Sequence, residues 1–256
     1  MTAEFLTATP LSGLPHGFFT RRGGVSKGGF ATLNCSLSGK DDPEAVATNR
    51  ALAMAALGLP AETLSSAYQV HGIAVAEVTA PIPNDARPEA DALVTNRPGL
   101  ALGVVTADCG PVLFADQKAG VVAAAHAGWR GAVAGILEET LAAMERLGAR
   151  RTDIVAVVGP CIRQNSYEVG LDLREAVLAQ NAANERFFIE GRRPGHWQFD
   201  LPGYCATRMV AAGAGTVAVL AADTFADAGS FFSHRRRTLA GEGPIGHQLS
   251  AIALPG

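Results

Sequence analysis

Long apolar runs, net charge, internal repeats and paired cysteines are all scarce in this chain. No apolar run approaches the ~18 residues a bilayer-spanning helix needs, so no such helix is expected. The formal net charge is only −3 over 256 residues, which gives no electrostatic footprint for nucleic acid or an anionic membrane surface. Four cysteines at irregular positions do not make a disulfide framework in a chain of this length. The opening MTAEFLTATPLSG lacks the basic and apolar regions of a secretory signal. No segment is of low complexity. What is left is a chain 48% hydrophobic, long enough for a large buried core. A soluble, cytoplasmic globular protein with reduced thiols, monomer or homodimer, is expected.

Strand-like and helix-like stretches interleave along the chain. HGFFTRRGGVSKGGF (16–30) reads as a strand end followed by a glycine-rich basic loop. Asp41-Asp42-Pro43 starts a helix that Gly58 and Pro60 stop. AYQV and IAVAEV are short strand-like runs broken by His71-Gly72. LALGVVT and DIVAVVG are continuous apolar runs, the signature of strands buried on both faces. RGAVAGILEETLAAMERLG reads as one helix ending at Gly148, and LREAVLAQNAA and LPGYCATRMVAAG as two more. WQFDL, TVAVLAAD and SAIAL complete the strands. The pattern gives one α/β domain over 1–256, a mixed β-sheet packed by helices.

The densest stretch is TADCGPVLFADQKAGVVAAAHAGWRG, residues 106–131. Val112–Phe114 and Val121–Ala123 flank a polar turn and predict a β-hairpin. With the turn at Gln117–Gly120, Asp116 faces Val121, Pro111 faces His126 and Cys109 falls opposite Gly128. Cys109 and His126 then emerge at the same end of the hairpin, one pleat apart. Such neighbours sit roughly 5–8 Å apart at Cβ, near enough to share a metal ion or a proton.

Two chemistries fit that pair. A thiolate and imidazoles suit Zn²⁺, whose catalytic sites use three protein ligands and keep one position open. Of the six histidines, His71 is the best third ligand, because the break at His71-Gly72 lets a side chain be aimed. The other chemistry is a nucleophilic Cys109 with His126 as its base and Asp108 orienting the imidazole. Copper is the less favoured metal. A blue-copper site usually adds an axial methionine, and none of Met54, Met144 or Met209 lies near these residues in sequence.

Arginines surround the same region. Trp129-Arg130-Gly131 opens a helix directly after the hairpin, where an anion can dock beside Arg130. Arg21-Arg22-Gly23-Gly24 and Ser233-His234-Arg235-Arg236-Arg237 are two further basic clusters, neither matching a phosphate-loop or dinucleotide fingerprint.

HGFFTRRGGVS, QVHG, the Asp91–Thr95 run, TADCGPVLF, AAHAGWRG, GPCI, Tyr167–Gly170 and FFSHRR occur here in one order. Together they resemble the family once labelled multicopper polyphenol oxidases or laccase-domain proteins, from His16 to Leu254. The resemblance implies a single α/β domain and a zinc-dependent purine nucleoside phosphorylase acting on adenosine, with inosine, guanosine and methylthioadenosine as further substrates and with adenosine deaminase activity. It places zinc on His71, Cys109 and His126. The family also includes a peptidoglycan editing factor, and it is more distantly similar to Cys-His amidohydrolases such as a toxin deamidase. That keeps open a Cys-His hydrolase acting on a peptidoglycan precursor, while the old label keeps open a copper polyphenol oxidase. Under the phosphorylase reading, Arg130, Arg21, Arg22 and Arg235 are the candidates for phosphate and substrate contacts, and Asp108 or Glu168 for proton transfer. Three positions depart from the family pattern: His234 replaces an expected Tyr, His247 an expected Arg, and Asp223 an expected Cys.

Overall fold

The apolar runs are continuous because the strands they form are covered on both sides. The computed structural model describes residues 2–256. A six-stranded mixed sheet runs, edge to edge, through Thr216–Val219, Val155–Val158, Gly110–Asp116, Val121–Ala127, Ala92–Thr95 and Val75–Glu77. Its two outer pairs are parallel and its inner pairs antiparallel. A five-stranded sheet is ordered Phe5–Leu6, His16–Phe19, Gln248–Ala253, Ala101–Thr106 and Leu64–Ser66. A small antiparallel sheet joins Glu168–Val169, Trp197–Phe199 and Phe188–Glu190.

Alternate residues of the hairpin enter different cores, as the period of two requires. Val112, Phe114, Val121 and Ala123 face Ile136, Leu141, Tyr204 and Met209, which lie on α3 (Ile136–Arg146) and α5 (Leu201–Ala211). Leu113, Ala115, Val122 and Ala124 face Phe18, Leu102, Val104 and Ile252 of the five-stranded sheet. That sheet's other side packs Phe19, Leu249 and Ala251 on Ala53 and Met54 of α1 (Pro43–Ala56). The architecture is therefore helix, sheet, sheet, helix. Each large apolar side chain sealed in these layers contributes roughly 1.5–3 kcal/mol.

Local signals explain most element ends. Asp42 accepts the Glu44 N–H and caps α1, with Pro43 at its first position. In the hairpin turn, Asp116 accepts from the Lys118 and Ala119 N–H groups, and Gly120 takes a φ of 64°. The register expected from the sequence is the one observed, with Pro111 opposite His126.

The structure differs from the sequence reading in several places. One mixed sheet was expected, and three sheets form, because the strands leading into and out of the hairpin belong to separate layers. The single helix expected after the hairpin is two, α2 (Trp129–Ala134) and α3, split where Gly135 adopts a φ of 112°. AYQV forms no strand beyond an isolated Tyr68 bridge to Glu89. The Gln69 side chain takes its place, its amide pairing with both the N–H and the carbonyl of Val105 at 2.9 Å. The helix expected over LREAVLAQNAA is α4 (Leu171–Gln180) and stops at Asn181. The FFSHRR segment holds a further short helix, α6 (His234–Ala240). No helix among the described residues is long and apolar enough to cross a membrane, and all four cysteines are free.

Candidate metal centre

Cys109 lies where the chain crosses between the two large sheets. The strand Ala101–Thr106 belongs to one sheet and Gly110–Asp116 to the other, so residues 107–109 make a corner. Asp108 turns that corner with a φ of 90°. Among the described residues only His71 shares this left-handed region without being glycine, at 61°. Such backbone costs roughly 1–3 kcal/mol per residue and is held only by its surroundings. Both strained residues are at one place.

Asp91, sealed at the start of its strand, holds the His71 turn. Its carboxylate accepts from the N–H groups of Val70 at 3.2 Å, His71 at 3.0 Å and Gly72 at 2.7 Å. The same carboxylate lies 2.8 Å from His126 Nδ1, which fixes the proton there and leaves Nε2 to face outward. Its backbone carbonyl accepts the His126 N–H at 2.7 Å. Burial alone would raise the Asp91 pKa, but His126 and the Gly72 and Val70 N–H groups outweigh it and hold the carboxyl below its usual range. One aspartate thus sets the position of two imidazoles.

His71, Cys109 and His126 converge, with one ligand atom from each lying within 4.8 Å of the others. Cys109 Sγ is 4.0 Å from His71 Nε2, and the two imidazoles meet edge to face at 4.7 Å between centroids. Burial would raise the thiol pKa, yet the two histidines bring it down to about 6. Burial would lower His126, yet Cys109 and Asp91 raise it. Gly128 keeps the space open, since a Cβ there would stand 3.0 Å from both Cys109 Sγ and His71 Cδ2. A soft thiolate and two imidazoles, one of them backed by a carboxylate, could hold a zinc or copper ion.

These residues floor a cavity of about 510 Å³, the size of a small-molecule site. Arg130 lines it, exposed and stacked 4.5 Å from the Trp129 ring. Arg235 lines it too, donating to the Glu168 carbonyl at 2.7 Å and lying over Tyr167. Of the three family departures, His234 and His247 line the cavity. His247 Nδ1 is buried without a partner, and burial followed by the nearby His126 lowers its pKa to about 4. It is therefore neutral at pH 7. Asp223 is elsewhere, accepting from Ser166 and from the Phe225 N–H.

Other expected contacts are not brought here. Arg21 binds the Ala31 and Ala228 carbonyls and Arg22 the Gly229 carbonyl, so both brace a neighbouring loop outside this cavity. The Glu168 carboxylate is held by Arg193, at 2.5 Å, and by the Arg192 N–H. Asp108 does line the cavity but does not orient an imidazole. Its carboxylate accepts from Thr224 Oγ1, Ser233 Oγ and the Arg235 N–H. The orienting carboxylate is Asp91. In the sequence it stood out only as the first residue of the Asp91–Thr95 run, directly before a buried strand.

Fold and site define a class: a layered α/β protein in which Cys109 and His126 at a hairpin end meet His71 in a cluster that could hold a metal ion, lining a cavity of small-molecule size. The family model described as multi-copper polyphenol oxidoreductase laccase matches residues 15–255, and the chain belongs to that family. A purine nucleoside phosphorylase of Deinococcus radiodurans is 41% identical over 250 residues, 98% of this chain and 93% of its own. One from Mycobacterium tuberculosis is 42% identical over 233 residues, 91% of this chain and 89% of its own. Among solved structures, a Neisseria meningitidis protein superposes with a TM-score of 0.88 at 33% identity, over 100% of both chains. YlmD of Geobacillus stearothermophilus gives 0.87 at 29% identity, over 100% of this chain and 97% of its own.

Proposed function

We propose that residues 1–256 form one zinc-dependent purine nucleoside phosphorylase domain that accepts adenosine, with inosine, guanosine and methylthioadenosine as further substrates, and that also deaminates adenosine. The observation that carries this is the His71–Cys109–His126 cradle on the floor of a nucleoside-sized cavity, in a chain whose relatives bear that name. Bound there, zinc supplies Lewis acidity at the cavity floor.

The chain's own residues divide the remaining work. Arg87, Arg130 and Arg235 bring guanidiniums to this cavity; Arg87 is engaged by the Asn84 carbonyl and Ser38 Oγ, and phosphate is held between Arg130 and Arg235, facing the anomeric carbon. Neutral His247 offers one ring nitrogen as donor and the other as acceptor, which suits either a 6-amino or a 6-oxo purine edge. Asp108 is the one carboxylate among the lining residues, so proton transfer in deamination falls to it. Thr224, Ser233 and the Arg235 N–H aim it.

The test incubates purified protein with adenosine, with and without phosphate, and separates the products. Phosphate-dependent adenine and phosphate-independent inosine are expected, both abolished in Cys109→Ala and by a strong chelator. A second reading, a Cys-His hydrolase, is favoured by the depressed Cys109 thiol beside His126. It predicts the reverse pattern on an amide or peptidoglycan precursor: activity that survives chelation and dies on thiol alkylation. Stoichiometric copper with a visible absorption band would instead establish a copper oxidase.

A further inference from the structure

Two basic clusters far apart in sequence meet in space, away from the metal centre. Helix α6 is the wall between two cavities. His234 and Arg235 line the metal cavity, whereas Arg236 and Arg237 line a second one of about 640 Å³ that shares no lining residue with the first. Arg21 reaches this second cavity from the loop after its strand. Gly28 and Gly243 are at its rim, and nothing crowds the backbone at either.

The three guanidiniums are not equally occupied. Arg236 is spent on the Thr224, Phe225 and Phe231 carbonyls. Arg21 uses Nε and one terminal nitrogen on carbonyls and stacks on Phe232, 4.5 Å from its centroid. The Arg237 guanidinium makes no hydrogen bond or ion pair with a described residue; its Nε is buried, and its two terminal nitrogens are left free to meet a ligand in the cavity. Glu242 is the only acid lining the cavity against three arginines. Burial and the neighbouring Arg236 both depress Arg21, the mark of crowded positive charge.

We propose that this second cavity is a binding site for a phosphate group, held by Arg237 and Arg21 and approached over the bare backbone of Gly28 and Gly243. The planar guanidinium fork matches phosphate oxygens two at a time, as a lone Lys does not. The cavity has the volume of a small-molecule site, which favours a phosphate carried on a larger organic molecule, such as a nucleotide, over the free ion. The site is separate from the phosphate subsite assigned to Arg130 and Arg235, and it stands whether or not the chain proves to be a phosphorylase.

Calorimetric titration of the full chain with inorganic phosphate, pyrophosphate and adenosine triphosphate, at constant ionic strength, tests it. At least one should bind in the millimolar range or tighter. Arg237→Gln should weaken that binding by about tenfold or more, the loss typical of a charge-assisted contact. Glu242→Gln, at an exposed position that does not threaten the fold, should tighten it several-fold, and Arg130→Gln, which strips the metal cavity of a phosphate contact, should leave it unchanged. Binding of the nucleotide alone identifies a phosphorylated metabolite as the ligand, and equal binding of phosphate identifies the free ion. The proposal is overturned if none of the three binds at millimolar concentration. It is equally overturned if Arg237→Gln and Glu242→Gln both leave affinity unchanged, or if Arg130→Gln abolishes binding, which would put the anion in the metal cavity.

Discussion

Asp91 and Cys109 carry the testable chemistry at the scale of single residues. Asp91 holds His126 through its ring and His71 through its backbone, so Asp91→Ala unfastens two of three ligands. Metal affinity, read by competition with a chromogenic chelator, should fall about 10–100-fold. An unchanged affinity would show that the imidazoles are positioned by something else. Cys109 is set apart from its fellow cysteines by its neighbours. Burial raises Cys35 and Cys205 to about 12 and raises Cys161 as well, whereas His126 and His71 pull Cys109 down to about 6. A depressed pKa means thiolate persists as pH falls. In metal-free protein, iodoacetamide should therefore modify Cys109 near its plateau rate at pH 7, slowing only as pH drops through about 6. A rate that keeps climbing to the ordinary thiol value near 8.5 would contradict the geometry. The three converging residues were legible because Cys109 and His126 share a hairpin end and His71 sits in a strand break. Asp91 was not, since nothing in a sequence says which of two nearby aspartates reaches across a sheet.

The elements around the site show where such reading works and where it stops. The hairpin register followed from the polar turn alone, because the Asp116 side chain and Gly120 fix the loop. Helix α6 was not legible as a helix. It spans seven residues, four of them charged or histidine, and has no apolar periodicity to betray it. It is held instead by its ends. Ser233 caps it by accepting from the Arg236 N–H and donates its own hydroxyl to Asp108. Ser233→Ala removes both bonds and leaves a buried Asp108 oxygen with one donor fewer. A destabilisation of about 1–2 kcal/mol is expected, visible as a lower thermal midpoint. The split between α2 and α3 is not legible for a similar reason: a glycine within a helical pattern is compatible with an unbroken helix until its φ is known.

Across the whole molecule, the layering depends on close approach between sheets. Gly159 follows the Val155–Val158 strand of the six-stranded sheet, and a Cβ there would overlap the ring of Phe18 from the five-stranded sheet. Phe18 is fully buried, so the ring cannot swing into solvent. Gly159→Ala should cost about 1–3 kcal/mol, checked by chemical denaturation, and a neutral outcome would mean the sheets are looser than they look. The α/β class was readable from the alternation of runs; that the runs separate into stacked sheets was not, because apolar strands carry no mark of which layer they join. The hairpin also bears on time. Cys109 and His126 are joined by a short local segment, and hairpins close in about 1–10 μs. His71 precedes them in the chain and depends on Asp91, so it can take its place only when the Ala92–Thr95 strand docks on Val121–Ala127. During refolding, the closed hairpin alone should leave both imidazoles unaimed, and tight metal capture should report the docking of that strand, which brings Asp91 to His71 and His126, rather than the closing of the hairpin.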